Sequence, residues 1–293
     1  MLQRAASGRM FLAQQATSQR IFHGGLKMEK KIFISADIEG VSGITSWAAT
    51  EYGGKGYEKA CRQMSLETAA ACRGAIRAGY LPVVKDGHED AMNIDHDLLP
   101  QEAELISGWA CTPLSMLAGL DESFAGIIYI GYHAAAWTSG SPLKHTCEDY
   151  LYNWFKINDH YASEFTINSG VADQFRVPSL LLSGDACICE EAQRDYPGIV
   201  TVPTKRGLGD ATWNIHPQKV VEQIEAAACE VLSKPLPEPR LLADHYTMTV
   251  CYKEFQKAMA ASWFPGVKKI DDFTVTYAAD RPTELSRCRY FIG

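Results

Sequence analysis

Four residues able to bind a divalent metal stand at the ends of three short apolar runs. Asp37 and Glu39 lie one residue apart in "ISADIEGVSG" (34–43), directly after an apolar run and before a glycine. His88 follows a second run in "VVKDGHED", and His133 a third in "IIYIGYHA". Side chains alternate along a strand, so Asp37 and Glu39 can point to the same side. Two carboxylates with two imidazoles suit Zn²⁺, Mn²⁺ or Fe²⁺ better than Ca²⁺ or Mg²⁺, which prefer an all-oxygen shell. An aspartate can bridge two such ions, and a paired site activates water while stabilising both attacking and leaving oxygens. Each residue alone has an ordinary reading: a loop or capping acid, a solvated turn histidine, a satisfied core histidine. Their joint appearance at three successive strand ends favours a metal site.

Several further residues are candidates without being decided by pattern. Asp185 ends a fourth run, "LLLSGDA", and looks as good as the others, whereas Glu164 in "YASEF" falls in a helical stretch with no strand-end argument. His145 and His160 are candidate bases. Cys147 is two residues from His145, a spacing that rarely makes a nucleophile–base pair on one strand. Glu148 and Asp149 read as solvated acids. Trp137, Trp154 and Trp213 could shape a substrate pocket, although each one singly suits a core or rim position.

The elements that must carry these residues alternate. Short β-rich runs at 31–37, 80–88, 124–133 and 177–185 interleave with helical patterns at 57–79, 161–175 and 217–233. A short helical stretch is expected near 98–105. Strand–helix alternation implies an α/β fold: a mainly parallel sheet with helices on both faces. Ligands in such sheets bind outside the carboxyl ends of the strands, where the candidate residues fall. "KPLPEPR" (234–240), with three prolines in seven residues, marks a boundary. Beyond it, "HYTMTVCYKEF" and "DDFTVTYAAD" alternate like strands and predict a small C-terminal β-rich α+β appendage. The expected division is a leader over 1–29, a catalytic domain over 30–235 and a small domain over 236–293.

Composition narrows the class. A chain of 293 residues, 46% hydrophobic, can bury a sizeable core. Its formal net charge of -7 argues against nucleic acid or an anionic membrane as main partner. No apolar stretch is long enough to span a bilayer. Nine scattered cysteines, an odd number, suggest a reducing compartment and no disulfide framework. Residues 1–28 are basic and rich in Ser and Gln, with no acid before Glu29. That composition fits an organelle transit peptide, but the ordinary-looking start at Met28 makes a mis-assigned beginning the preferred reading, and a cytoplasmic location is expected.

The ordered blocks "SADIEGVSG", "KDGHED", "LISG", "SMLAGLDESFAGIIYIGYHA", "LKHT" and "SEFTINSGVADQFRVPSLLLSGD" resemble the zinc-dependent D-aminopeptidases of the bacterial dipeptide-operon type. The likeness runs from about Lys31 to Ser233. It implies two zinc ions per subunit, held by Asp37, Glu39, His88, His133 and Glu164, with Asp37 shared. By the same analogy Glu39 and His133 would serve one ion, and His88 and Glu164 the other. The choice of Glu164 over Asp185 comes from the resemblance alone. His145 matches the family's catalytic histidine, and a nucleophile, a general base and an oxyanion donor are all chemically open to it. The resemblance further implies hydrolysis of the first bond of short peptides, D-Ala peptides among them, and a ring-shaped homo-oligomer, up to a decamer. Cys147 and Glu148 have no counterpart in the family's motif, and handedness of the substrate cannot be read from one sequence. Two rivals stand beside this reading. One is a dinuclear metallohydrolase of another bond class, an amidase or phosphoesterase, disfavoured because the metal-site blocks carry little Lys or Arg beyond Lys85 and Lys144. The other is a non-catalytic peptide-binding relative, against which the intact His145 speaks.

Overall fold

The computed structural model describes residues 30–293, so the leader reading over 1–29 lies outside the described residues. Seven strands form the main sheet: β1 (Lys31–Ala36), β2 (Leu81–Asp86), β3 (Glu104–Ile106), β4 (Phe124–Tyr132), β7 (Ser179–Asp185), β8 (Val200–Leu208) and β9 (Ala211–Asn214). Their order is β3-β2-β1-β4-β7-β8-β9. All pairs are parallel except the closing β8–β9 hairpin. The chain winds outward from β1 through β2 to β3, then restarts at β4 and winds the other way. The crevice between β1 and β4 is therefore the topological switch point, where open α/β sheets bind ligands.

Each face of the sheet has its own core. Helices α1 (Tyr57–Arg77) and α4 (Pro217–Leu232) cover one face, packing Ala60, Met64, Cys72, Val220 and Ile224 onto Ile32, Ile34 and Ile128. Alanine-rich α1 lets the two helices approach closely, and it ends as expected at Gly79, where Gly79 N–H and Tyr80 N–H return to Ile76 and Ala75 carbonyls. Helices α2 (Glu164–Gln174) and α3 (Ala186–Asp195) cover the other face over Phe33, Tyr129 and Leu182. The near-continuous apolar strands follow from this double cover.

A second, five-stranded antiparallel sheet has the order β11-β12-β10-β5-β6. Strands β10 (Tyr246–Tyr252), β11 (Lys268–Lys269) and β12 (Thr274–Ala279) come from the region beyond the proline-rich stretch, with helices α5 (Phe255–Ala261) and α6 (Pro282–Ile292). Strands β5 (Tyr152–Ile157) and β6 (His160–Tyr161) come from the middle of the chain, between β4 and α2. The smaller layer is thus not C-terminal alone: β5 pairs with β10 across about a hundred residues of sequence, and Phe155, Ile167 and Val250 share one core.

The helix expected near 98–105 is absent. A single 3-10 turn covers His96–Leu98, capped by the Asp95 carboxylate accepting from Asp97 N–H at 3.1 Å. Pro100 forces Leu99 into extended geometry (φ -77°, ψ 152°) and stops the turn. Glu104–Ile106 then pairs with β2 as edge strand β3. Among the described residues no helix is long and apolar enough to cross a membrane.

Glu67 of α1 is buried against the sheet. Its Oε1 accepts from Ser42 N–H (3.1 Å) and Gln63 Nε2 (3.0 Å), while Oε2 has no partner. Burial pushes its carboxyl up to about 7. The folded state thus holds this proton more tightly than the unfolded chain does. The associated stability is complete below the ordinary carboxylate range and is lost as pH rises through about 7. Glu67→Gln should flatten that loss, leaving the variant more stable than the parent at alkaline pH by up to about 3 kcal/mol, with no such advantage in acid. Thermal unfolding followed across pH checks this; parallel curves for parent and variant would contradict it.

Candidate metal centre

Two glycines let the switch-point strands close on each other beyond their ends. Asp37 N–H donates to the Ile130 carbonyl (2.8 Å) and Gly40 N–H to the Gly131 carbonyl (2.7 Å), so β1 and β4 stay paired past Ala36. A Cβ at Gly131 would collide with the Asp37 carbonyl, and one at Gly40 with the Tyr132 carbonyl. From the far side, β8 fixes the same turn: Thr204 Oγ1 donates to Gly40 O (2.5 Å), and the buried Lys205 Nζ donates to the carbonyls of Glu39, Val41 (3.0 Å) and Ile44 (2.5 Å).

The remaining candidates arrive from three directions. Asp86 organises the turn after β2 by accepting from the N–H groups of Asn93 (2.6 Å) and Ile94 (2.8 Å), and this turn carries His88. His133 follows β4 directly. Helix α2 leads into β7 and so runs against it, which starts the helix at the carboxyl edge of the sheet. There Ser163 and Thr166 form a reciprocal capping box, and Glu164, the first helical residue, is aimed at the crevice. The signal in "SEFT" was therefore a helix start at the correct edge, visible only once the topology is known.

The structure brings Asp37, Glu39, His88, His133, Glu164 and His145 together. His88 Nδ1 lies 3.3 Å from Asp37 Oδ1 and 3.2 Å from Glu39 Oε2. His133 Nε2 lies 3.4 Å from both Asp37 Oδ2 and Glu164 Oε1, and His145 Nε2 lies 3.6 Å from Glu164 Oε1. Asp37 is the carboxylate common to His88 and His133. Two sets, Asp37–Glu39–His133 and His133–His145–Glu164, each offer ligand atoms all within 4.8 Å of one another. Every imidazole is oriented from behind: His88 Nε2 meets Thr50 O at 2.7 Å, His133 Nδ1 meets Ala134 O at 3.1 Å, and His145 Nδ1 meets Leu143 O at 3.0 Å. With the outer nitrogen donating to a carbonyl, the inner one of a neutral ring is left as a lone-pair donor, the arrangement a metal ligand needs.

Electrostatics support the same reading. Asp37 and Glu39 are 2% exposed and Glu164 5%, yet Asp37 Oδ2, Glu39 Oε2 and His133 Nε2 have no hydrogen-bond partner. Burial, followed by the nearby Glu39 and Glu164, drives the Asp37 carboxyl well above the usual carboxylate range. Burial opposes ionisation of Glu39 and Glu164 too, but the imidazoles overcome it; His88 holds Glu39 well below its ordinary value, and His133 brings Glu164 to about 2. Burial likewise disfavours charge on His133, and Glu164 outweighs it, raising the imidazole to about 10. Buried acids that recruit protons onto adjacent histidines are acids in want of a cation. The donor set, one shared aspartate with glutamates and imidazoles, fits zinc.

A cavity of about 310 Å³ opens over this cluster, at the small end of ligand pockets. Its walls include Trp47, Trp109, Met116, Cys147 and, from the last helix, Arg289; its rim includes Glu51, Glu89, Glu148 and Asp149. Trp47 meets the His145 ring edge-on at 5.2 Å, and His145 stacks on His133 at 4.1 Å. Glu89, Ser115 and Cys147 all have positive φ (45°, 51° and 63°), so three residues lining the cavity hold strained backbone. At Cys147 this turn aims the N–H at Glu164 Oε1 (2.8 Å), and burial pushes the thiol up to about 12.

Other sequence candidates lie elsewhere. Asp185 caps α3: its oxygens accept from Ile188 N–H (3.0 Å) and Ala134 N–H (2.8 Å). His160 is exposed on β6. Trp137 and Trp213 are 60% and 62% exposed, and Trp154 packs edge-on against Tyr161 at 6.4 Å, so none of the three forms the cavity. The tryptophans that do are Trp47, which opens a single 3-10 turn (Trp47–Ala49), and Trp109, in a loop, and the sequence pattern revealed neither position. Glu148 and Asp149 are rim acids rather than merely solvated ones.

Comparisons with known proteins identify the family to which the chain belongs. The chain is 30% identical over 253 residues to the D-aminopeptidase of Bacillus subtilis (strain 168), covering 85% of this chain and 91% of that protein. Its fold matches the solved Zn-dependent D-aminopeptidase DppA from Bacillus subtilis, described as a self-compartmentalizing protease. The TM-score is 0.83 at 27% identity, over 89% of this chain and 96% of that one. The D-aminopeptidase family's profile matches residues 30–290, nearly all that the structure describes. The chain belongs to the D-aminopeptidase family of peptidases.

Proposed function

We propose that this protein is a zinc-dependent aminopeptidase that removes the first residue of short peptides, D-residues by preference, with two zinc ions per subunit. The observation that carries the proposal is the convergence of Asp37, Glu39, His88, His133 and Glu164, with buried, unpartnered ligand atoms on Asp37, Glu39 and His133. Asp37 would be shared. Glu39 and His133 would complete one position, in keeping with the Asp37–Glu39–His133 grouping. His88, beside Asp37, and Glu164 would complete the other. A zinc pair supplies Lewis acidity toward a scissile carbonyl and an acidified water at neutral pH.

The chain's own residues supply the rest. The rim acids Glu51, Glu89, Glu148 and Asp149 draw in the ammonium group of a peptide. Trp47 and Trp109 narrow the cavity and exclude bulk water. His145, locked by Leu143 O and by stacking between His133 and Trp47, presents Nε2 as an acceptor. It takes a proton from water as the oxygen attacks the carbonyl carbon, and returns it to the leaving amine as the C–N bond breaks. The solved relative is described as self-compartmentalizing. A homo-oligomeric ring, up to a decamer, is the corresponding proposal here, supported by Trp263 (83% exposed), Phe264 and Phe291 around one apolar depression. Nine unpaired cysteines suit a reducing, cytoplasmic setting.

Three outcomes are expected. Zinc titrated into metal-stripped protein should bind at two per chain and raise the melting temperature by several degrees, because only the folded state gathers the ligands; calorimetry and metal analysis measure both, and a flat melting curve counts against the site. Replacing His145 with Ala should lower kcat by at least about a hundredfold at unchanged zinc content; loss of one zinc would instead make His145 a ligand. A panel of paired D- and L-aminoacyl peptides should show release of D-residues first, whereas L-selective release would overturn the substrate preference and leave the chemistry standing.

A further inference from the structure

Arg289 is the one lysine or arginine among the residues lining the cavity, against seven carboxylates from Asp37, Glu39, Glu164, Glu51, Glu89, Glu148 and Asp149. It is 9% exposed and stands beside the uncharged thiol of Cys147. Among the described residues its guanidinium forms no ion pair and no side-chain hydrogen bond to a carboxylate or carbonyl, although the other well-buried cations, Lys85 and Lys205, are each held by backbone carbonyls. Beyond the Cys147 sulfur, most of its five donors have no acceptor among the described residues and remain open to a ligand in the cavity that it lines.

The helix that carries it is built to hold it there. At the start of α6, Thr283 N–H donates to Gln174 Oε1 and Gln174 Nε2 to Thr283 Oγ1, both at 3.0 Å, tying α6 to the end of α2. At its other end Tyr252 OH donates to Ile292 O at 2.9 Å. Arg289 is thereby fixed relative to α2, whose first residue is Glu164. The two side chains also share the walls of a small adjoining recess with Cys147, Met116 and Asn168.

We propose that Arg289 binds the free carboxylate of a dipeptide substrate, making the carboxy-terminal end of the peptide a specificity element. The proposal rests on the aminopeptidase reading and deepens it. In a dipeptide the terminal carboxylate lies one residue, about 3.5 Å of extended chain, beyond the scissile carbonyl. Arg289 and the ligand cluster line one small cavity, which suits that reach. A planar guanidinium pairs with a carboxylate through two parallel hydrogen bonds, a match that neither an amide nor a neutral ester offers. The acidic rim attracts the ammonium end and repels the carboxylate end, and among the described lysines and arginines only Arg289 lines the cavity to receive an anionic terminus.

The test compares a D-Ala dipeptide with its carboxamide, on zinc-loaded parent, R289M and R289K. Binding by calorimetry and steady-state KM are both recorded. The parent should prefer the free acid by about tenfold or more, R289M should bring the ratio of the two KM values close to one, and R289K should keep part of the preference. Equal losses on both ligands, or a fall in kcat alone, would assign Arg289 a structural or transition-state role and overturn the proposal. So would a parent that does not discriminate. Calorimetric discrimination without any turnover would retain Arg289 as a carboxylate reader and sink the hydrolase reading instead.

Discussion

Three carboxylates, Asp37, Glu39 and Glu164, are withdrawn from water into one crevice, and that concentration of like charge constrains everything around it. Such a cluster is stable only if positive charge is drawn into it. Imidazoles supply part of it, and the unpartnered oxygens point to more. The surrounding structure keeps the acids from relaxing outward. The Gly40–Gly131 approach locks the β1 and β4 tips together, Thr204 and Lys205 of β8 hold the following turn by its carbonyls, and a capping box pins Glu164 at its helix start.

Geometry behind the ligands matters as much as the ligands. Thr50, Ala134 and Leu143 contribute only backbone carbonyls, yet each determines which nitrogen of His88, His133 or His145 faces inward. At those three positions it is the path of the backbone that orients the rings. This explains why residue types alone carry so little of the orientation.

The sequence disclosed the parts governed by local pattern. Strand ends were legible because apolar β-rich runs stop where Asp37, His88 and His133 begin, and a parallel sheet collects such ends on one edge. The parts governed by chain return were not. Glu164 and Asp185 looked alike or reversed in merit, because one is aimed by a helix start after a detour through the second sheet and the other is consumed as a helix cap. Trp47, Trp109 and Arg289 reach one cavity from a 3-10 turn, a loop and the last helix, spread over most of the chain with no spacing to connect them. Pro100 turned a helical-looking stretch into an edge strand, and aromatic "YNWFKI" gave no clear period to mark β5.

The second sheet takes β5 and the edge strand β6 from between β4 and α2, and receives its central strand β10, with β12 and β11, from beyond residue 245. A ribosome-bound chain ending before β10 would therefore hold β5 with an open edge and α2 without its α6 brace. The strand ends that carry the ligands are thus complete well before the second layer and the Arg289 wall of the cavity, which only the last part of the chain supplies.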